Sequence, residues 1–266
     1  MDIFSDSQPE GEYLIETVGV TKIFKDAENM STACSDVSLK VKAGDFIIIF
    51  GITTSGKTTL LSIIYGFEKP DIGEVLLKGE PLYEFSENER CFIRAKKFGF
   101  VPHNHNWIRN LNLLDNVALP VLVSGQKEEV ARTSAYEALR YFGLEKNFEL
   151  QPHLLGFYEQ QLASIARAMV NQPWLILADE PYKNLTHNDA LKVISLLKKI
   201  NEDKKIAMIV STSKPEFLNY TSKWFLMSDG RIEDIKNNRN SISRFKNVVE
   251  LIEKETKKEN EKNISI

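Results

Sequence analysis

Short apolar runs punctuate the chain at Phe46–Phe50, Phe98–Val101, Trp174–Ala178, Ala207–Val210 and Trp224–Met227. Each is rich in Val, Ile, Leu or aromatic residues and ends in turn or loop residues, so each predicts a buried strand. The segments between them carry helical spacing. One predicted helix runs from Gln126 to Phe142, with Gly143 placed to cap its C-terminus. Another runs from His187 to Ile200. Thr186 can cap its start and Asp189 lies three residues on, an aspartate form of the capping box. Buried strands alternating with helices predict an α/β domain around a mostly parallel sheet.

Two stretches break that alternation. The first sixty or so residues and Val75–Tyr83 have more strand character and predict an antiparallel β subdomain, whereas residues 103–170 read as a mostly helical subdomain. The expected organisation is one domain over residues 1–235, followed by a polar C-terminal helix and tail over 236–266. Ile242, Phe245, Val248, Val249 and Ile252 share one helical face in that last segment, and the final dozen residues are too polar to pack.

Composition narrows the function classes. Thirty-four basic and thirty-seven acidic residues among 266 give a net charge of −3, which argues against a nucleic-acid binder working through a broad basic face. Cys34 and Cys91 are too few for a disulfide framework and are not spaced as metal ligands, which favours a reducing compartment. The start, MDIFSDSQPEGEY, lacks the basic and apolar regions of a secretory signal. The run Phe46–Phe50 is far short of the roughly 20 residues that span a bilayer. The expectation is a chain soluble by itself, whose membrane role needs a partner.

The strongest chemical signal is Gly51-Ile52-Thr53-Thr54-Ser55-Gly56-Lys57-Thr58, a full match to G-x-x-x-x-G-K-[ST] that is followed by Thr59. Average composition produces such a match in roughly one chain per hundred. Here it follows a predicted strand and precedes a helix-like stretch, Thr58–Tyr65, the setting the motif requires. Its glycines let backbone N–H groups wrap a phosphate, and the helix N-terminus adds positive potential. Lys57 can reach the outer phosphates and Thr58 can offer its hydroxyl to Mg²⁺. Some 120 residues on, Leu175-Ile-Leu-Ala-Asp179-Glu180-Pro181 sets two acids at the end of an apolar strand, where α/β ligand crevices lie. Asp179 is suited to hold Mg²⁺ or its water, and Glu180 to polarise an attacking water.

In order and spacing these motifs resemble the nucleotide-binding subunit of ABC transporters over about residues 13–235. The stretches LNLLDNVALP (Leu111–Pro120) and Ile72–Gly79 bring the chain nearest to the lipoprotein-release and macrolide-export branch. The resemblance implies a P-loop core with an antiparallel β subdomain and a helical subdomain. It also implies ATP with Mg²⁺, a transmembrane permease subunit as partner, and a second nucleotide-binding subunit, identical or different. Each ATP would then lie between the phosphate loop of one subunit and the signature helix of the other. Phe24 matches the aromatic that stacks on adenine, its alternative being a buried strand aromatic. A groove beside the loop after the Phe98–Val101 strand would receive a short permease helix. Trp107, Ile108, Leu111 and Leu114 are its apolar candidates, with internal packing as the other reading.

Departures cluster on catalytic positions. His103 stands where the family carries a glutamine; an imidazole can donate to water or coordinate a metal weakly, and His103-x-His105 raises the thought of a metal pair. The signature Leu-Ser-Gly-Gly becomes Leu155-Gly156-Phe157-Tyr158, followed by Glu159-Gln160-Gln161, with Leu162 in place of an arginine. Bulky residues there are expected to obstruct close backbone approach to a phosphate. Thr186 replaces an aspartate and still caps a helix. Thr212 or Ser213 falls where a histidine is usual; a hydroxyl cannot carry the proton an imidazole can. The leading expectation is an ATP-binding subunit on the cytoplasmic face of a membrane, turning over slowly. The alternatives are a non-hydrolysing regulatory or scaffold subunit, and a soluble relative acting on DNA or ribosomes.

Overall fold

The computed structural model describes residues 13–25, 30–233 and 249–250. In its first part, β1 (Ile15–Lys25) and β2 (Met30–Val41) lead to β3 (Phe46–Phe50), α1 (Lys57–Ile64), β4 (Ile72–Leu77) and β5 (Glu80–Pro81). Next come α2 (Glu87–Lys96), β6 (Phe98–Val101), α3 (Leu113–Val123), α4 (Glu128–Tyr141) and α5 (Phe157–Met169). The last part holds β7 (Leu175–Asp179), α6 (His187–Lys204), β8 (Ala207–Thr212), β9 (Trp224–Ser228) and β10 (Arg231–Glu233).

The apolar runs are strands of one six-stranded sheet, ordered β10-β9-β3-β8-β7-β6. Its pairings are parallel except β10 with β9. The sheet explains why Phe46–Phe50 has no polar position. Ile47 and Ile49 enter one hydrophobic cluster, Phe46, Ile48 and Phe50 enter another on the opposite face, and all five residues are buried. A parallel strand covered on both sides reads as a continuous run rather than an alternation. The first cluster joins this sheet to α1 and to a second, antiparallel sheet ordered β2-β1-β4-β5. The second cluster lies under α6.

A third cluster forms the helical subdomain from α3, α4 and α5. Helix α5 belongs to both bodies: Ile165, Ala168 and Met169 pack on the sheet, while Leu162, Ala163 and Ala166 pack against α3 and α4. Leu162, at the expected arginine position, is therefore a core residue. The subdomain is less helical than its sequence suggests, since residues 103–112 are loop and 143–156 are loop with one short 3-10 turn, Pro152–Leu154. Buried Asn116 shapes the first of these loops: its amide nitrogen donates to the carbonyls of Ile108, Leu111 and Asn112, and its oxygen accepts from the Ile108 N–H.

Helix ends follow the predicted signals closely. Gly143 takes a left-handed φ of 73° just past α4. The Thr186 hydroxyl accepts from the Asp189 N–H and donates to its carboxylate, capping α6. That helix runs past Ile200 to Lys204, ending on Lys205 in the left-handed conformation. The predicted C-terminal helix and tail lie outside the described residues apart from 249 and 250, which are helical, with Val249 against the second cluster.

Candidate nucleotide site

Strand β3 ends at Phe50 and the chain turns through Gly51–Gly56 into α1. Gly56 has φ +101°, and a Cβ there would sit 2.0 Å from the Ala33 carbonyl oxygen, so glycine is required on both counts. It caps α1 without a side chain, and no acidic residue lies in the first turn. The free N–H groups at this end thus face outward with the positive end of the helix dipole. Thr53, Thr54 and Thr58 are exposed, Ile52, Gly56 and Thr59 half-buried, and Gly51, Ser55 and Lys57 buried. The Lys57 ammonium donates to the carbonyls of Gly51 (2.8 Å) and Ile52 (2.6 Å) within the loop and lies 3.7 Å from Glu180 Oε1. Burial pulls its pKa below the ordinary lysine value, against the opposing pull of Glu180 and Asp179.

The two acids arrive from β7. Parallel pairing sets Asp179 beside Ser211 of β8. Asp179 Oδ2 accepts from the Thr58 hydroxyl at 2.9 Å, and Oδ1 accepts from the Ser211 hydroxyl at 2.7 Å. Glu180 has a left-handed φ of 43°, and its N–H donates to Ser211 Oγ at 2.9 Å. Strained backbone of this kind persists only where its surroundings hold it. Ser211 thus fixes both acids; the sequence offered no cue to it beyond its place on β8. Hydroxyl and carboxylate oxygens are the hard donors that suit Mg²⁺.

His103 follows β6 and Pro102, with Nδ1 3.4 Å from Asp179 Oδ2. The idea of a His103–His105 metal pair fails, because His105 turns instead to Gln161, with 2.9 Å between His105 Nε2 and Gln161 Oε1. Among the described residues no group of three or more His, Cys, Asp or Glu could hold a metal. The loop carrying His103 is tied to α5 at several points. Trp107 stacks on His105 and donates to Gln160 Oε1, while Arg167 donates to the His105 carbonyl and lies over the Trp107 ring.

Phe24, near the end of β1, is 44% exposed, so it is no core aromatic. Thr212 is fully buried, 2.6 Å from the Tyr182 hydroxyl, which also accepts from the Ser213 N–H. Thr212 is thereby withdrawn from the site, and Ser213 is left at the expected histidine position.

At α5 the two bulky residues behave differently. Phe157 is 62% exposed. Tyr158, by contrast, is half-buried among both the sheet-side and helical clusters, with the Lys192 ammonium 5.3 Å from its ring centre, so its bulk is taken up by packing. The Gly156 N–H donates to the carboxylate of Glu159 at 2.9 Å, while the first turn of α5 has no side-chain cap.

A groove of about 420 Å³ lies where the helical subdomain meets the sheet, lined in part by Phe67, Arg94, Phe100, Pro120, Val123 and Arg167. Trp107, Ile108, Leu111 and Leu114 are not among its lining residues. Leu114 is buried in the helical core and Trp107 is turned onto α5, whereas Leu111 is half-buried and Ile108 is 48% exposed. No described helix is long and apolar enough to cross a membrane.

Residues 34–183 match the ABC transporter family. An uncharacterized ABC transporter ATP-binding protein of Methanocaldococcus jannaschii is 37% identical over 224 residues, 84% of this chain and all of that protein. The lipoprotein-releasing system ATP-binding protein LolD of Buchnera aphidicola is 32% identical over 84% of this chain and 98% of its own length. Among solved structures, the dimeric ABC transporter cassette MJ0796 superposes with a TM-score of 0.76 at 34% identity, covering 83% of this chain and 97% of that one. The same cassette is known as a dimer in a post-hydrolysis state bound to ADP and Pi, at 33% identity and the same TM-score. The two-sheet fold thus stands in a known setting, and the chain belongs to the ABC transporter ATP-binding family.

Proposed function

We propose that this chain is the ATP-binding subunit of a membrane transporter, peripheral on the cytoplasmic face, passing nucleotide-driven movement to a separate permease. The observation that carries the reading is the convergence of Lys57, Thr58, Asp179 and Glu180 at the C-terminal ends of parallel strands beside an uncapped helix N-terminus. Lys57 and the loop N–H groups bind the outer phosphates, and Phe24 offers its exposed face to adenine. Thr58 and Asp179 would hold Mg²⁺, which when bound neutralises phosphate charge. Glu180, 15% exposed and oriented through Ser211, polarises the attacking water.

Transmission runs through the loop after β6. That loop touches Asp179 through His103 and α5 through His105 and Trp107, and Pro102 and Asn106 help to line the groove. The groove, with exposed Phe67 and Val123 at its edge, is the proposed seat of a permease helix. The second cassette is a copy of this chain or a different subunit. An α5 N-terminus that has no hydroxyl at Gly156 and is fronted by exposed Phe157 supports slow turnover.

The test is purification of the chain with its permease, followed by nucleotide titration. Phe67→Glu with Val123→Glu is expected to release the permease while ATP binding persists. A complex that survives both substitutions would refute the groove assignment. A folded chain that takes up no nucleotide would refute the function.

A further inference from the structure

We infer that a second cleft, at the end of the sheet remote from the phosphate loop, binds a small aromatic anion. Its volume is about 720 Å³, within the roughly 300–1,000 Å³ of small-molecule sites. It opens where the helical subdomain meets the sheet. Trp174 and Ile206, the residues just before β7 and β8, line it together with Met169 of α5, and all three are buried. Ala138, Tyr141 and Phe142, from the end of α4, complete its apolar lining. The five residues of β7 separate Trp174 from Glu180, roughly 17 Å of extended chain. The cleft is therefore distinct from the nucleotide site.

The lining states the chemistry of the occupant. Three aromatic side chains favour a flat apolar body, since ring faces pack on ring faces and edges. Charge supplies the rest. The one acid of the lining, Glu137, is matched by Arg140 at 2.6 Å. Lys204, in the last turn of α6, reaches across to α4, with its ammonium 5.3 Å from the centre of the Tyr141 ring. It forms no ion pair among the described residues. A cation in a last helical turn also suits the helix dipole, but this one spans to a different helix and lines the cleft. Apolar rings beneath a single unmatched cation fit an aromatic carboxylate or sulfonate. Ser134 and Gln172 add a hydroxyl and an amide to the lining, the few polar groups by which such sites orient a ligand. Because the lining comes from α4, α5, α6 and the strand starts, an occupant ties the helical subdomain to the sheet.

The experiment titrates the folded full chain with 8-anilinonaphthalene-1-sulfonate, a fluorescent aromatic anion, in the presence of saturating ATP analogue. N-phenyl-1-naphthylamine, the same ring system without the sulfonate, is the neutral control. The expected result is saturable binding of one sulfonate dye per chain, tighter than that of the neutral dye. Lys204→Gln should weaken the sulfonate dye about fivefold, the upper end of what an exposed ion pair contributes, and leave the neutral dye unchanged. Ala138→Trp, which fills the cleft, should abolish both, while its retained binding of the ATP analogue shows that the variant is folded. Dye binding that Ala138→Trp leaves intact, or that does not distinguish the two dyes, would overturn the inference. Binding that appears only after removal of residues 236–266 would make the chain's own tail the occupant and would overturn it as well.

Discussion

The molecule contains two glycine-led turns into helices, and they have opposite fates. At α1, Gly56 caps the helix without a side chain, and no acid occupies the first turn. At α5, Gly156 also precedes the helix, but Glu159 takes the Gly156 N–H, and Phe157 projects with 62% of its surface exposed. Both ends begin with the same backbone donors and the same dipole. The first is left open to a foreign anion. The second, equally without a side-chain cap on its first turn, carries an acid in that turn and an exposed aromatic ring beside it.

The largest effect that sharpens this contrast is at Lys57. Lys57→Ala removes a charge-assisted contact to phosphate worth about 1.5–3 kcal/mol, a loss of about 10- to 150-fold in ATP affinity. Calorimetric titration of the folded variant checks it; an unchanged affinity would mean the open end is not the phosphate site.

A smaller effect is expected at Ser211, which serves Asp179 and the Glu180 N–H together. Ser211→Ala leaves a buried acceptor and a donor unsatisfied, at a cost of about 1–3 kcal/mol in stability by denaturant unfolding. A stability equal to the parent chain would show that the acids are placed by other means.

The smallest is at Phe24. Stacking contributes about 0.5–1.5 kcal/mol, so Phe24→Ala should weaken ATP binding about threefold to tenfold. Because Phe24 is largely exposed, the melting temperature should hardly move. Lost stability with unchanged affinity would return Phe24 to a structural role.

How much of this was legible in the sequence depended on whether the signal was local. The phosphate loop and the buried strands are local patterns, and they fell where the residues indicated. Helix α2 was overlooked although Ser86 and Glu89 spell a capping box that the structure forms in both directions. Its mean hydropathy is low and only Ile93 is buried, so no apolar stripe announced it. The division between Phe157 and Tyr158 was not legible, because adjacent residues on a helix leave on different faces and only the neighbour, α6, decides which is covered. Ser211 and Thr212 present the same problem on a strand: alternation sends one hydroxyl to Asp179 and the other to Tyr182. Which of the groove candidates stay at the surface was not legible for a related reason. Trp107 and Leu114 are apolar, but apolarity alone does not say whether a residue lines a surface or fills a core.

The central claim is that Gly156 and Phe157 impair the α5 end as a partner for phosphate, and phosphate release by the purified permease complex tests it most directly. The parent chain should turn over slowly. Gly156→Ser combined with Phe157→Gly should raise the rate by up to about 10²–10³-fold, the range that one restored transition-state donor commands. A parent complex that already runs at about 1 s⁻¹ or faster, that loses this activity in Glu180→Gln, and that gains nothing from the double substitution would contradict the account.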